Sequence, residues 1–119
     1  MGDRRAAYEA GLAAEEAVAC LLQERGWQVL ERRWRGGGAE LDLVVTREGR
    51  LRAVEVKLRK VGDPVGLEAV DDRKIQRLER GMEAFLLDYR GPVEEVCLAV
   101  ALVESSEEGW SIELLDNPV

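Results

Sequence analysis

Asp42, Glu55 and Lys57 are the residues of this 119-residue chain whose types and spacing could do chemistry. Leu41, Leu43 and Val45 alternate with Glu40, Asp42 and Val44, while Val54, Val56 and Leu58 alternate with Glu55, Lys57 and Arg59. Both runs carry the two-residue period of a strand. Between them, Thr46-Arg47-Glu48-Gly49-Arg50 is a short turn in which Gly49 can take positive φ. With Glu48 and Gly49 as the turn pair, Arg47 faces Arg50, Asp42 faces Glu55 and Glu40 faces Lys57. Carboxylates directly across a strand pair repel, with such pairs contributing about 0.2 to 1 kcal/mol. A hard divalent cation shared between them would remove that repulsion. Lys57 lies roughly 6.6 Å beyond Glu55 on the same face, within reach of whatever such an ion holds. A three-residue loop would instead set Val54 opposite Asp42. Alternating charge also marks the solvated face of an antiparallel sheet, so the hairpin alone leaves both readings open.

The elements around this hairpin must position it. Residues 4 to 26 read as a helix rich in Ala, Leu and Glu and stopped by Gly26. At about 100° per residue, Tyr8, Gly11, Val18, Leu21 and Leu22 share one side, and Glu15 falls within that arc. A carboxylate facing inward meets an Arg or Lys, or points at the metal. Trp27, Val29 and Leu30 give a first strand. Arg32, Arg33 and Arg35 then precede Gly36-Gly37-Gly38, expected as a loop in which backbone and arginines approach a phosphate, or as a plain solvated connection.

Residues 60 to 70 read as a loop or broken turn around Asp63-Pro64. A helix follows, starting between 66 and 72 and ending near Tyr89, with Ile75, Leu78, Met82, Phe85, Leu86 and Tyr89 as its apolar stripe. Arg73, Arg77 and Arg80 make one flank basic, and Lys74, four residues before Leu78, lies nearer the buried edge. Val96 to Val103 is continuously apolar, as suits a strand covered on both faces. Trp110, Ile112 and Leu114 alternate in a last, half-exposed strand.

Composition narrows the chemistry. The length suits one domain with a real core, and 46% apolar with 34% charged residues suits a globular protein. The chain contains no histidine, which excludes Ser-His-Asp and Cys-His catalysis and His-built zinc sites; carboxylate-and-lysine chemistry with a hard metal survives. Cys20 and Cys97 stand where small buried residues belong. No run reaches the ~20 apolar residues of a membrane span, and the first residues lack the apolar core of a signal peptide; a cytoplasmic protein with no membrane partner is expected. The net charge of −7 is uneven: residues 25 to 60 hold ten basic and five acidic side chains, residues 61 to 119 five basic and fourteen acidic. A locally basic hairpin region within an acidic chain weakens long-range steering toward phosphate without forbidding contact.

The chain resembles the YraN family of small bacterial proteins, of uncharacterised function and restriction-endonuclease fold. The resemblance covers most of the chain. It is carried by Gly11 with Glu15, Leu22 and Gly26, Trp34-Arg35, the GGGAELDLV and VEVKLR segments, and Val70 with Lys74. Where the family has Gly before its Glu-Ile-Asp-Leu run, this chain has Ala39. Asp followed after a hairpin by Glu-Val-Lys is similar to the PD-(D/E)xK nuclease signature and, more distantly, to archaeal Holliday-junction resolvases. The resemblance implies one restriction-endonuclease-like α/β domain over residues 1–119, a mixed β-sheet flanked by helices in the order α-β-β-β-α-β-β. It implies Mg²⁺ or Mn²⁺ bound by Asp42, Glu55 and the Val56 carbonyl, with Glu15 completing the outer shell. Lys57 would orient or activate the attacking water, with Glu40 as its partner.

The activity so implied is endonucleolytic hydrolysis of DNA, branched or damaged DNA included. The alternatives are a nucleic-acid-binding module with little turnover and a protein-interaction adaptor. Arg32, Arg33, Arg35, Arg59, Lys60, Arg73, Lys74 and Arg77 are the expected nucleic-acid contacts. A homodimer is expected by analogy with enzymes that cut two strands, through the apolar edge of the last strand.

Overall fold

The computed structural model describes residues 2–59 and 71–116. Lys60, Val70 and the expected turn around Asp63-Pro64 lie outside them. The order is α1 (Gly2–Glu24), β1 (Gln28–Gly36), β2 (Ala39–Arg47), β3 (Arg50–Arg59), α2 (Asp72–Asp88), β4 (Glu95–Ser106) and β5 (Gly109–Asp116). The five strands form one sheet in sequence order. All neighbours are antiparallel except β3 and β4. A parallel pair needs a crossover, and α2 lies within it. Asp71 caps α2, its carboxylate accepting from the Lys74 amide.

The helices cover opposite faces. Ala14, Val18, Ala19 and Leu22 of α1 pack on Leu43, Val45, Val54, Ala99, Ala101 and Val103. Leu78, Met82 and Phe85 of α2 pack on Leu41, Val44, Leu51 and Ala53. β4 is accordingly buried from Ala99 to Val103, while β5 is a half-exposed edge. The mixed α/β architecture and element order expected from the sequence are those observed.

Three local expectations fail. Gly36-Gly37-Gly38 is not a loop: β1 runs through Arg32, Arg33 and Arg35 to Gly36, and Gly37 and Gly38, both at positive φ, make a two-residue hairpin turn into β2. Tyr8 is 56% exposed rather than in the core. Cys20 is exposed as well, while Cys97 is buried as expected.

Candidate functional site

The turn at Glu48-Gly49 sets the register. Both residues have positive φ, and Arg47 pairs with Arg50, Val45 with Arg52 and Leu43 with Val54. One step further, beyond the last pair, stand Asp42 and Glu55, as the two-residue turn requires. They occupy a non-hydrogen-bonded position, where side chains come closest. A continuing ladder would send the Val56 amide to the Leu41 carbonyl. Instead Val56 N–H donates to Asp42 Oδ2 at 2.8 Å, so a carboxylate has replaced a backbone acceptor where the strands part.

The same place is a twist in the sheet. Leu41 and Leu43 should share a face, yet Leu43 packs under α1 and Leu41 under α2. Across the β1–β2 pair the change repeats: Arg32 is bonded to Glu16 of α1, whereas Trp34 meets Phe85 of α2 edge-on. Between them Arg33 has φ 53°, strained for a non-glycine residue and a conformation enriched at functional sites. Both strands therefore turn over at Arg33 and Asp42, which leaves Asp42 off the regular face alternation.

Glu55 is only 7% exposed and is the one charged residue in the buried set among the described residues. A buried carboxylate is costly without a partner, and the partner is Lys74 from the first turn of α2, Nζ to Oε1 2.9 Å. Burial first, then Glu55 beside it, pushes the Asp42 carboxyl up to about 7; the Val56 amide and Lys74 oppose this, and Glu15 adds to it. Glu15 is half-buried on α1. Burial raises its pKa, Arg33 counteracts, and Glu40 and Glu55 raise it further. Three carboxylates thus sense one another, and among the described residues Lys74 is the cation in contact with the buried one. Among the described residues, however, no three Asp, Glu or Cys side chains converge tightly enough to hold an ion by themselves. Lys57 is half-buried, two residues along β3 from Glu55, and so lies on the same face of that strand.

The other expected site residues divide. Glu40 does not serve Lys57: it binds Arg33 at 3.5 Å and Arg35 at 3.1 Å. Arg33 also donates to the Tyr8 hydroxyl at 2.9 Å. Arg32 is held by Glu16. Arg59 is turned to the far side of the sheet centre, 2.7 Å from Glu104 and 3.9 Å from Glu113; its carboxylate neighbours come from β4 and β5, which the hairpin sequence alone does not reveal. Arg73 and Arg77 are exposed on α2. Lys74, expected as a nucleic-acid contact, is part of the acidic centre. Its position four residues before the buried Leu78 was the available signal, whereas the link from Tyr8 through Arg33 to Glu40 had none. An open cleft of about 430 Å³ adjoins the centre, between the β1–β2 turn and α2, and is lined in part by Arg35, Glu40, Lys74 and Arg77.

Comparison with known proteins agrees with the sequence motifs. Over 121 residues, spanning 98% of this chain and 92% of the relative, the sequence is 43% identical to a UPF0102 protein of Synechococcus sp.. It is 33% identical to one from Methylorubrum populi over 93% of this chain and 87% of that one, and 41% identical to one from Bacteroides thetaiotaomicron over 66% of this chain and 65% of that one. Residues 14–103, which run from the middle of α1 through most of β4 and include every residue of the acidic centre, match the model of the YraN-like uncharacterised protein family UPF0102, and the chain belongs to that family.

Proposed function

We propose that the chain is a Mg²⁺- or Mn²⁺-dependent nuclease that hydrolyses phosphodiester bonds in DNA, related to restriction-endonuclease-like enzymes and more distantly to Holliday-junction resolvases. The observation that carries this reading is the pair Asp42 and Glu55 at the point where β2 and β3 part, with the Val56 amide on Asp42 and Lys74 on Glu55. The donors suit a hard ion: two neighbouring carboxylates, one of them with its pKa pushed up to about 7 by burial and by the charge of the other. Mg²⁺ commonly takes one or two carboxylates and fills its remaining positions with water and phosphate, so a third acid at contact distance is not required. Asp42, Glu55 and the Val56 carbonyl would hold the ion, with Glu15 in its outer surroundings.

When bound, the ion would neutralise the acid pair and polarise the phosphate. Lys57 would hold a non-bridging phosphate oxygen and stabilise the charge that builds there as water adds to phosphorus, giving up a proton to solvent, and the P–O bond to the sugar breaks, its oxygen leaving as an alcohol with a proton from solvent. Lys74 would leave Glu55 as the ion arrives and turn to the nucleic acid. The test incubates purified protein with flap, junction, single-stranded and duplex DNA under Mg²⁺, Mn²⁺ or EDTA. Metal-dependent cleavage that Asp42→Asn and Lys57→Ala both abolish supports the reading; no cleavage of any substrate removes it.

A second reading has its own observation. Lys74 Nζ already compensates Glu55, as a built-in cation would in a binding module with little turnover. Such a module shows no thermal stabilisation by either ion.

A further inference from the structure

We propose that the cleft beside the acidic centre is a subsite for one unpaired nucleotide adjoining the bond to be cut, which makes single-stranded, flap or frayed-end DNA the substrate class. The inference rests on the site's acting on nucleic acid and adds which form it accepts.

The cleft has two walls and a floor. One wall is the tip of the β1–β2 hairpin, Arg35 to Glu40, and the other is the α2 flank carrying Lys74 and Arg77. Glycine contacts hold the walls together at one end. A β-carbon on Gly37 would stand 2.7 Å from the Arg80 carbonyl, and one on Gly81 would stand 3.0 Å from the Leu41 side chain and 3.2 Å from Ala39. Hairpin and helix are therefore fixed against each other, and the gap between Arg35 and Arg77 is a formed cleft.

Its chemistry is two-sided. Arg35 is held by Glu40 and Lys74 by Glu55, which leaves Arg77 as the lining cation with no ion pair among the described residues and the one most open to a phosphate. Half-buried Ala39 offers a flat ring an apolar contact, while Leu78, only 3% exposed, lines the cleft from the core. The volume lies within the usual 300 to 1,000 Å³ of small-ligand sites and holds about one nucleotide. A base pair, tied to two backbones, cannot enter. Lys74 lines the cleft and touches Glu55, so a nucleotide seated there has its neighbouring phosphodiester at the carboxylate pair.

The experiment measures binding by fluorescence anisotropy, in EDTA and over a series of salt concentrations. The probes are a labelled oligothymidylate and a blunt duplex of equal length. The single strand should bind more tightly. Arg77→Ala, a change at an exposed position, should lower the slope of log K against log salt by about 0.7 on the single strand and leave the duplex slope unchanged; Arg77→Lys should restore it. Equal affinity for the two probes overturns the proposal, as does an equal loss of slope on both. None of these arms needs turnover. Strand preference without cleavage keeps the cleft and removes the nuclease. Cleavage of duplex and single strand at equal rates, unchanged by Arg77→Ala, keeps the nuclease and removes the cleft.

Discussion

Strand β3 carries two charged clusters four residues apart. Around Arg59, signs on neighbouring strands are complementary: Glu104 stands directly opposite on β4, and Glu113 reaches in from β5. Arg52 is treated likewise, 3.0 Å from Asp116 and 4.4 Å over the Trp27 ring. Around Glu55 the rule is broken. The cross-strand neighbour is another acid, Glu15 approaches from the opposite layer, and the single cation in contact comes from a helix. Where charges answer one another across strands, they serve the fold. Where like charges are gathered in a buried place, the fold carries a cost that Lys74 offsets only in part, which marks the centre as a candidate site.

The sharpest way to break this comparison is to supply the missing charge. An ion that binds only the native state at 100 times its Kd adds about 2.7 kcal/mol. Wild type should melt higher in Mg²⁺ or Mn²⁺ than in EDTA by calorimetry, and Asp42→Asn or Glu55→Gln should lose most of that gain along with any cleavage. The same ions should do nothing through the Arg59 cluster. An unchanged wild-type melting temperature would reduce the centre to a polar sheet face.

Next in size is the effect of pH without metal. Asp42 in the fold titrates near 7, above its ordinary 3.8. Its contribution to stability is therefore fully present below about 3.8 and is lost as the pH rises through 7. In EDTA, Asp42→Asn should be the more stable protein at pH 8, by on the order of 2 kcal/mol, and the advantage should vanish toward pH 4. Denaturant melts at several pH values measure it; a difference independent of pH would show that Asp42 is not held against its ionisation.

How legible these clusters were in the sequence differs for physical reasons. Glu48-Gly49 suits a tight turn with positive φ, which sets Asp42 opposite Glu55; a three-residue loop stays open in the sequence, and the structure takes the two-residue turn. β1 read too short because an edge strand whose arginines face outward has no apolar period. Its side chains are held by Glu16 and Tyr8, 16 and 25 residues away in sequence. Three glycines likewise gave no sign that Gly37-Gly38 closes a hairpin. The helix phase brought Lys74 toward the core but could not say that α2 would start beside Glu55. That pairing depends on the crossover, a tertiary fact. Arg33 at positive φ has no sequence signal at all.

Lys74→Met probes the one cation of the acidic centre and should have an intermediate effect. It leaves Glu55 buried without its ammonium, and breaking such a pair costs more than the pair contributes. Because Lys74 is partly exposed, the metal-free protein should lose about 1 to 2 kcal/mol, measured by urea melts. Mg²⁺ should then stabilise the variant more than it does wild type, since ion and ammonium compete for Glu55. An equal increment in both would mean that the ion binds away from Glu55.

Arg59→Met should have the smallest effect and closes the comparison from the other side. Its closer pair, with Glu104, is partly shielded and its longer one, with Glu113, is mostly exposed, which sets the loss at the upper end of the about 0.2 to 1 kcal/mol that exposed pairs contribute. Methionine keeps the packing of the arginine stem. A loss within that range by urea melt is expected, with the metal increment unchanged. Arg59 also separates the two roles that charge alone assigns to it: a phosphate contact would take about 0.7 from the single-strand salt slope when removed, whereas an arginine occupied by Glu104 would take nothing. The slope should stay at its wild-type value, because releasing Arg59 to phosphate would leave Glu104, half-buried on β4, without its cation.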